Sequence, residues 1–430
     1  MFTVVGNFKT TYTSRMMKVK ALVSFFLGFS LPFWGFSQKI ATLAVELPAI
    51  SNFAQPTSVN LTGLTALPDS VLRLVEVTGG ALTEVPFQVD PMNDRTLHWL
   101  IPPAQDKGLV RTYELHQSTP KKDVGPLQLD QTDKALIVRK NGKDLWQYNF
   151  ATVYPPEGVD SAYARSGFVH PMWSPGGKAL TRIQPEDHYH HYGLWNPWTR
   201  AVFKGETIDF WNLAEKQGTV RFANFVTRSE GPVFAGYRVL HEHLVLQNRP
   251  TPEVAMTEVQ GARIFALDDS ETYYLADISI LLNPAATPVT LKEYRYGSLG
   301  WRTTEKWNNQ NSEVITSEGL NRKTADGSLA RWCIVQGEID DAYASVVMMS
   351  SPANYNHPEP LRIWPEDMYG RGDMYANFAP TKNRDWHLEP GKSYVLNYRF
   401  LVSSKKISPE EAEAAWKQFG LPPKITIKKE

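Results

Sequence analysis

One cysteine, Cys333, stands among 430 residues. No disulfide can form within the chain, so stability must come from a buried core. Net charge is missing too, since 45 Lys and Arg balance 45 Asp and Glu. Without a basic excess, phosphate-backbone binding is not the chain's main business, and no nucleic-acid partner is expected. Neither a nucleotide-binding glycine pattern nor an internal repeat is present. Helical periodicity is scarce, and strands without intervening helices cannot build a parallel α/β sheet. Beyond the N-terminus no run is apolar enough to cross a membrane.

The one apolar run covers residues 21–36 and follows Lys18 and Lys20. It ends in Gly35 and Ser37, and Pro32 interrupts it. A charged segment, a short apolar core and small residues at its end read as a secretory signal peptide over residues 1–37. The run has 16 residues, short of the roughly 20 that span a bilayer. The expected mature chain begins near Gln38, is exported to the periplasm or the medium, and keeps no stable membrane insertion. Met16 or Met17 suits the start of such a signal better than Met1. Removing residues 1–37 takes away Lys9, Arg15, Lys18 and Lys20 and no acid. That leaves 41 basic against 45 acidic residues, a net charge of −4.

What is abundant is alternation. Stretches such as 70–77, 145–150, 273–282, 344–349 and 394–401 alternate apolar and polar residues between Gly, Pro, Asn and Asp turns. Residues 135–138 are continuously apolar and suit a strand buried on both faces. Lys140-Asn141-Gly142-Lys143 carries the Asn-Gly pair of a type I′ hairpin. These patterns predict an all-β fold: a large antiparallel β-sandwich over residues 126–405, behind a small N-terminal β-domain over 38–117. The polar stretch 118–125, with Pro120 and two lysines, reads as the linker. Ser408-Pro409-Glu410-Glu411, with Gly420 and Pro422 downstream, predicts a short capped helix. The Lys-rich residues 424–430 read as a frayed end, completing a C-terminal segment of 406–430.

The densest chemistry lies in Asp187-His188-Tyr189-His190-His191-Tyr192-Gly193-Leu194-Trp195 and continues through Trp198 to Asp209-Phe210-Trp211-Asn212. Imidazole nitrogens suit a divalent metal, for which His188, His190 and His191 are the candidate ligands. On a strand, however, His191 would point away from the other two. The alternative is acid–base chemistry at a sugar, with His190 or His191 moving a proton and Asp209 or Glu305 assisting. Indole faces suit pyranose rings, which makes Trp195, Trp198, Trp211 and Trp301 candidate sugar contacts, although filling a wide core explains any single tryptophan more simply. His188 and Asn212 would add polar contacts. Arg295, Arg302 and Arg362 could hold a uronic acid carboxylate, or equally close loops by pairing with acids.

The order His170-Pro171, Asp187-His188-x-His190-His191-x-Gly193, Asp209-Phe210-Trp211-Asn212 and Asn377-Phe378-Ala379-Pro380-Thr381-Lys382 resembles a bacterial family that carries the label "methane oxygenase PmoA". The resemblance covers about residues 127–400. It implies a secreted β-protein, often from bacteria that degrade polysaccharides, with no established catalytic role and no kinship to the membrane subunit behind the label. At position 192 other members often carry arginine where this chain has Tyr192. The expected fold also resembles the supersandwich of sugar mutarotases and several polysaccharide lyases, which by itself does not set function.

The resulting expectation is a secreted carbohydrate-active enzyme, a hydrolase, lyase or epimerase, whose partner is a sugar or uronic-acid-containing glycan. Two alternatives stand beside it: a non-catalytic glycan-binding protein and a metal-dependent oxidoreductase.

Overall fold

Strand alternation becomes two large antiparallel sheets in the computed structural model, which describes residues 38–90, 95–103, 109–120, 125–265 and 272–430. The expected signal peptide and residues 121–124 of the expected linker lie outside the described residues. One sheet has nine strands, in the order Leu329–Ala330, Glu359–Ile363, Tyr375–Phe378, Gly300–Arg302, Leu194–Trp195, Phe168–Met172, Lys143–Asn149, Ala135–Lys140 and Leu127–Gln131. The other has eight, running from Gly218–Ser229 through Ala235–Val245, Glu253–Phe265, Tyr273–Pro284, Tyr394–Ser403, Ala342–Ser350 and Trp332–Ile339 to Ser312–Thr316. Their facing sides enclose the main core, with Trp146, Tyr148, Trp301 and Phe378 from the first sheet against Val239, Ile264, Ile278 and Phe400 from the second. The all-β sandwich expected from the alternation is the observed fold.

Local signals translate directly. Ala135–Lys140 is buried on both faces over its first four residues. Lys140 pairs with Lys143 across Asn141 and Gly142, both at positive φ (50° and 79°), as a type I′ turn requires. The only α-helix among the described residues is Pro409–Gly420, closed at its start by the expected capping box of Ser408 and Glu411.

The N-terminal residues form a smaller pair of layers with its own core, including Leu43, Leu74, Leu97, Trp99 and Tyr113. Here the structure corrects the reading of the C-terminus. Lys424–Lys429 is not frayed: it pairs antiparallel with Lys39–Glu46 and becomes the edge strand of the five-stranded sheet. A third core joins Phe53, Phe234, Tyr273, Trp332 and Leu401 to Trp416 of the helix. No helix among the described residues is long and apolar enough to cross a membrane.

Candidate functional site

Register decides which aromatic residues can meet a ligand. Residues directly opposite in antiparallel strands share a face, and neighbours along a strand alternate. Leu194 pairs with Trp301, which pairs with Ala376, which pairs with Ile363. This row belongs to the sandwich core. The adjacent row is Trp195, Gly300, Asn377 and Arg362, with the Arg302–Tyr375 pair beside it, and it faces away from that core. Trp301 is therefore a core residue whose indole N–H donates to the Leu180 carbonyl at 3.0 Å. Trp198 is likewise fully buried in the main core. Neither is a wall of a sugar cleft. Gly300 has a steric reason: a Cβ there would stand 2.7 Å from the Trp211 ring and 2.7 Å from the Tyr375 hydroxyl.

On the outward face, Trp195, Trp211, Trp364, Tyr375, Tyr192 and Phe168 form a separate aromatic cluster. The histidine motif packs into it. His188–His191 is not a strand: the His188 N–H donates to the Pro185 carbonyl (2.8 Å), and the His191 N–H donates to the His188 carbonyl (2.9 Å). These turns remove the strand alternation that would have sent His191 the other way. The three imidazole centroids lie 4.7 to 5.5 Å apart. His191, 4% exposed, sits 5.2 Å from Trp195, 5.5 Å from Tyr375 and 5.7 Å from Trp364, ring to ring.

Burial sets the charge state here. It drives His190 down to about 3 and His191 well below the usual imidazole range, with the neighbouring histidines and Arg302 adding to the effect. Burial also lowers His188, against the pull of Asp187. The cluster is neutral at pH 7. Beside it runs a chain of ion pairs, from Arg302 to Asp373, Asp373 to Arg371 (2.9 Å), and Arg371 to Asp187. Burial pushes the Asp187 and Asp373 carboxyls up, but the arginines hold both below their ordinary values. His188 Nδ1 lies 3.1 Å from Asp187 but off the line of a hydrogen bond, and its Nε2 meets the Tyr369 hydroxyl at 3.1 Å.

Four polar atoms in and beside the cluster are buried without a protein partner: His191 Nδ1, Trp195 Nε1, Arg302 Nη1 and Tyr375 Oη. Each such group costs on the order of 1–3 kcal/mol, and buried polar atoms are as a rule satisfied. Trp195 and Arg302 can only donate. The set suits an acceptor-rich molecule such as a sugar bearing hydroxyls or a carboxylate. Among the described residues no three His, Cys, Asp or Glu side chains are arranged to hold a metal ion. The triad His188, His190 and His191 therefore does not fit the metal alternative.

The expected carboxylates are not at the imidazoles. Asp209 accepts from the backbone N–H groups of Trp211 (2.7 Å) and Asn212 (2.8 Å) and from the Asn212 amide (2.6 Å). It shapes the turn that presents Trp211, and Asn212 links that turn to the Tyr296 hydroxyl at 3.2 Å. Glu305 is exposed, 3.7 Å from Arg182, in the wall of a hollow of about 620 Å³ that His170, Gln184 and Glu186 also line. Arg362 is held by Asp326 at 2.8 Å. Arg302 and Arg362 thus both pair with acids, as the loop-closing alternative had it, yet Arg302 Nη1 stays unpartnered.

Sequence reasoning gave no role to Tyr375, Trp364, Asp373 or Arg371, whose place at the site depends on distant strands. It also passed over His241 and His243. These alternate along one strand, share a face, and both contact the fully buried Glu258, at 3.3 and 2.9 Å. Burial pushes the Glu258 carboxyl up, but the imidazole contacts hold it down at about 2. Glu258 also accepts from Asn196 at 2.8 Å, anchoring the residue after Trp195. His-x-His on an alternating strand was the available signal.

No curated protein matches the chain. Among solved structures it is similar to an alpha-mannosidase from Enterococcus faecalis V583, with 8% identity and a TM-score of 0.47 over 90% of this chain. A protein in the Glycosyl Hydrolase Family 38 from Enterococcus faecalis gives 8% identity and a TM-score of 0.45, again over 90% of this chain. This chain spans about half the length of each, 46% and 47%. A candidate mutarotase from Salmonella typhimurium has 9% identity and a TM-score of 0.32, over 66% of this chain and 97% of its own. Residues 135–417 match the family of unknown function DUF6807, and the chain belongs to that family.

Proposed function

We propose that the chain is a secreted carbohydrate-active enzyme that binds a sugar, preferentially one carrying a uronic carboxylate, against the aromatic and imidazole cluster. The observation that carries this reading is the set of four buried polar atoms left without a protein partner at the aromatic and imidazole cluster, on His191, Trp195, Arg302 and Tyr375. Arg302 Nη1 and the Trp195 N–H are donors for an anionic, oxygen-rich ligand. His190 is less buried than His191 and is the imidazole assigned to exchange a proton with the ligand. It is neutral, the form that accepts a proton, and a bound carboxylate beside it raises its basicity. Asp187 and Asp373, rather than Asp209 or Glu305, are the carboxylates nearest this chemistry, acting through Arg371 and His188. Elimination or epimerisation next to a uronic carboxylate uses these groups directly, and hydrolysis is the other reaction the assignment covers. The export reading of residues 1–37 and the resemblance to the PmoA-labelled family belong to the same proposal.

The test is a panel of neutral and uronic oligosaccharides, assayed for binding and for new reducing ends or unsaturated products. His190→Ala should cut turnover by about 10²- to 10⁴-fold with the unfolding midpoint retained. Unchanged turnover in both His190→Ala and His191→Ala sinks the assignment. Tight binding with no product across the panel replaces it with the glycan-binding reading, which the depressed proton affinity of the imidazoles favours.

A further inference from the structure

A second hollow lies on the opposite side of the molecule's main sandwich, on the outer face of the eight-stranded sheet. Its volume is about 420 Å³, within the range of small-molecule sites, roughly 300–1,000 Å³. The register explains the depression. One row across five strands is Thr227, Arg238, Gly261, Ser279 and Asn397, and the next is Ser229, Gly236, Arg263, Asp277 and Arg399. Small residues at Gly236, Gly261 and Ser279 lower the floor in the middle of the sheet. A Cβ at Gly261 would stand 2.7 Å from Ser279 Oγ. Phe234 closes one end and Phe419, at the end of the C-terminal helix, closes the other.

Charge singles out one residue on this floor. Arg263 is paired with Asp90 at 2.6 Å, and Arg399 holds Asp277 through two hydrogen bonds of 2.5 and 2.7 Å. Arg238 makes no ion pair within 4 Å with any described residue, although it is only partly exposed and feels the Arg263 charge, offset in part by the more distant Asp90 that Arg263 holds. A partly desolvated guanidinium next to a like charge is poorly placed unless an anion joins it. Among the described residues, two neutralised arginines and a third without an ion pair give the floor a single positive charge, which matches a monoanion better than a phosphate dianion. Around it the Thr227, Ser229 and Ser279 hydroxyls and the Asn397 amide offer hydrogen bonds to hydroxyl groups.

We propose that this hollow is a second ligand site, in which Arg238 binds the carboxylate of one acidic monosaccharide unit. It stands independently of the function assigned to the histidine cluster, because the two sites share no residue. The experiment is calorimetric titration of the full chain with glucuronate, glucose and inorganic phosphate, repeated on Arg238→Gln, Arg238→Lys and Arg302→Gln. Arg238→Gln should weaken one class of glucuronate sites by about tenfold or more, the scale of a lost charge-assisted pair. Arg238→Lys keeps the charge and should lose less. Arg302→Gln should leave this class intact, so failure at the histidine cluster is read separately. Glucose should bind at least about tenfold more weakly. Unchanged glucuronate binding in Arg238→Gln overturns the proposal, as does phosphate binding as tightly as glucuronate. Unfolding midpoints of both Arg238 variants within a few degrees of the parent establish that a lost site is not a lost fold.

Discussion

Two tryptophans one register row apart, Trp195 and Trp301, separate ligand chemistry from packing. Both are fully buried. The Trp301 indole N–H donates to the Leu180 carbonyl at 3.0 Å, whereas the Trp195 N–H has no protein partner. Replacing either by phenylalanine removes similar volume, but only Trp301→Phe also strands a buried carbonyl, an added cost of roughly 1–3 kcal/mol. Trp301→Phe should therefore lower the denaturation midpoint more, with sugar binding to the remaining folded protein unchanged. Trp195→Phe should be the milder change for stability and the severe one for affinity. Parallel urea melts and sugar titrations check both halves, and equal stability losses would show that the indole hydrogen bond is not what distinguishes them. Gly300 makes the same point sterically: Trp211 and Tyr375 lie so close over its backbone that any side chain there must displace one of them.

At the scale of elements, the tail strand Lys424–Lys429 carries the clearest consequence. Its residues are mostly exposed, but Ile425 packs on the small core, and six residues pair with Lys39–Glu46. Deleting residues 424–430 should cost roughly 1–3 kcal/mol in cross-strand and apolar contacts. It also leaves Lys39–Glu46 as an open edge that invites self-association. Sedimentation of the truncated chain should show concentration-dependent oligomers, and a monomer with an unchanged midpoint would refute the structural role. This strand was not legible in the sequence because Lys-rich alternation is weak and its partner lies at the other end of the chain. The hairpin at Asn141-Gly142 and the capped helix were legible because their signals are local. The site divides in the same way. Histidine density marked the right segment, but the turn at Pro185–His188 that makes the imidazoles converge, and the arrival of Tyr375 and Arg302 beside them, depend on pairing between distant strands. Asp209 and Glu305 failed as partners for that reason: proximity to aromatic residues in sequence says nothing about which face a carboxylate reaches.

For the whole molecule, the perturbed titrations predict an asymmetric response to pH. Burial lowers His98 and His170 to about 4 and His190 to about 3, and takes His191 well down. Above about pH 6.5 these groups are neutral in the folded and unfolded chains alike, and they add no pH dependence. Below it the unfolded chain takes up protons that the folded chain refuses, so stability falls as pH drops from about 6.5 towards 4, by up to about 1.4 kcal/mol per pH unit for each group. Glu359 acts in the opposite sense. Burial raises its carboxyl to about 7, despite hydrogen bonds from Ser350, Asn354 and Tyr398. Between about pH 4.5 and 7 the unfolded chain loses this proton first, so Glu359 withdraws stability as pH rises, on the order of 3 kcal/mol in all. Several histidines outweigh one glutamate, and the net slope below neutrality should be acid loss. Glu359→Gln keeps an acceptor for Ser350 and Asn354 and has no proton to lose. It should therefore be more stable relative to the parent at pH 8 than at pH 4.5. Urea melts of both proteins from pH 4.5 to 8 measure this directly. A parent chain whose stability is flat below pH 6.5, or a variant whose difference from the parent does not change with pH, would show that these side chains do not carry the burial assigned to them.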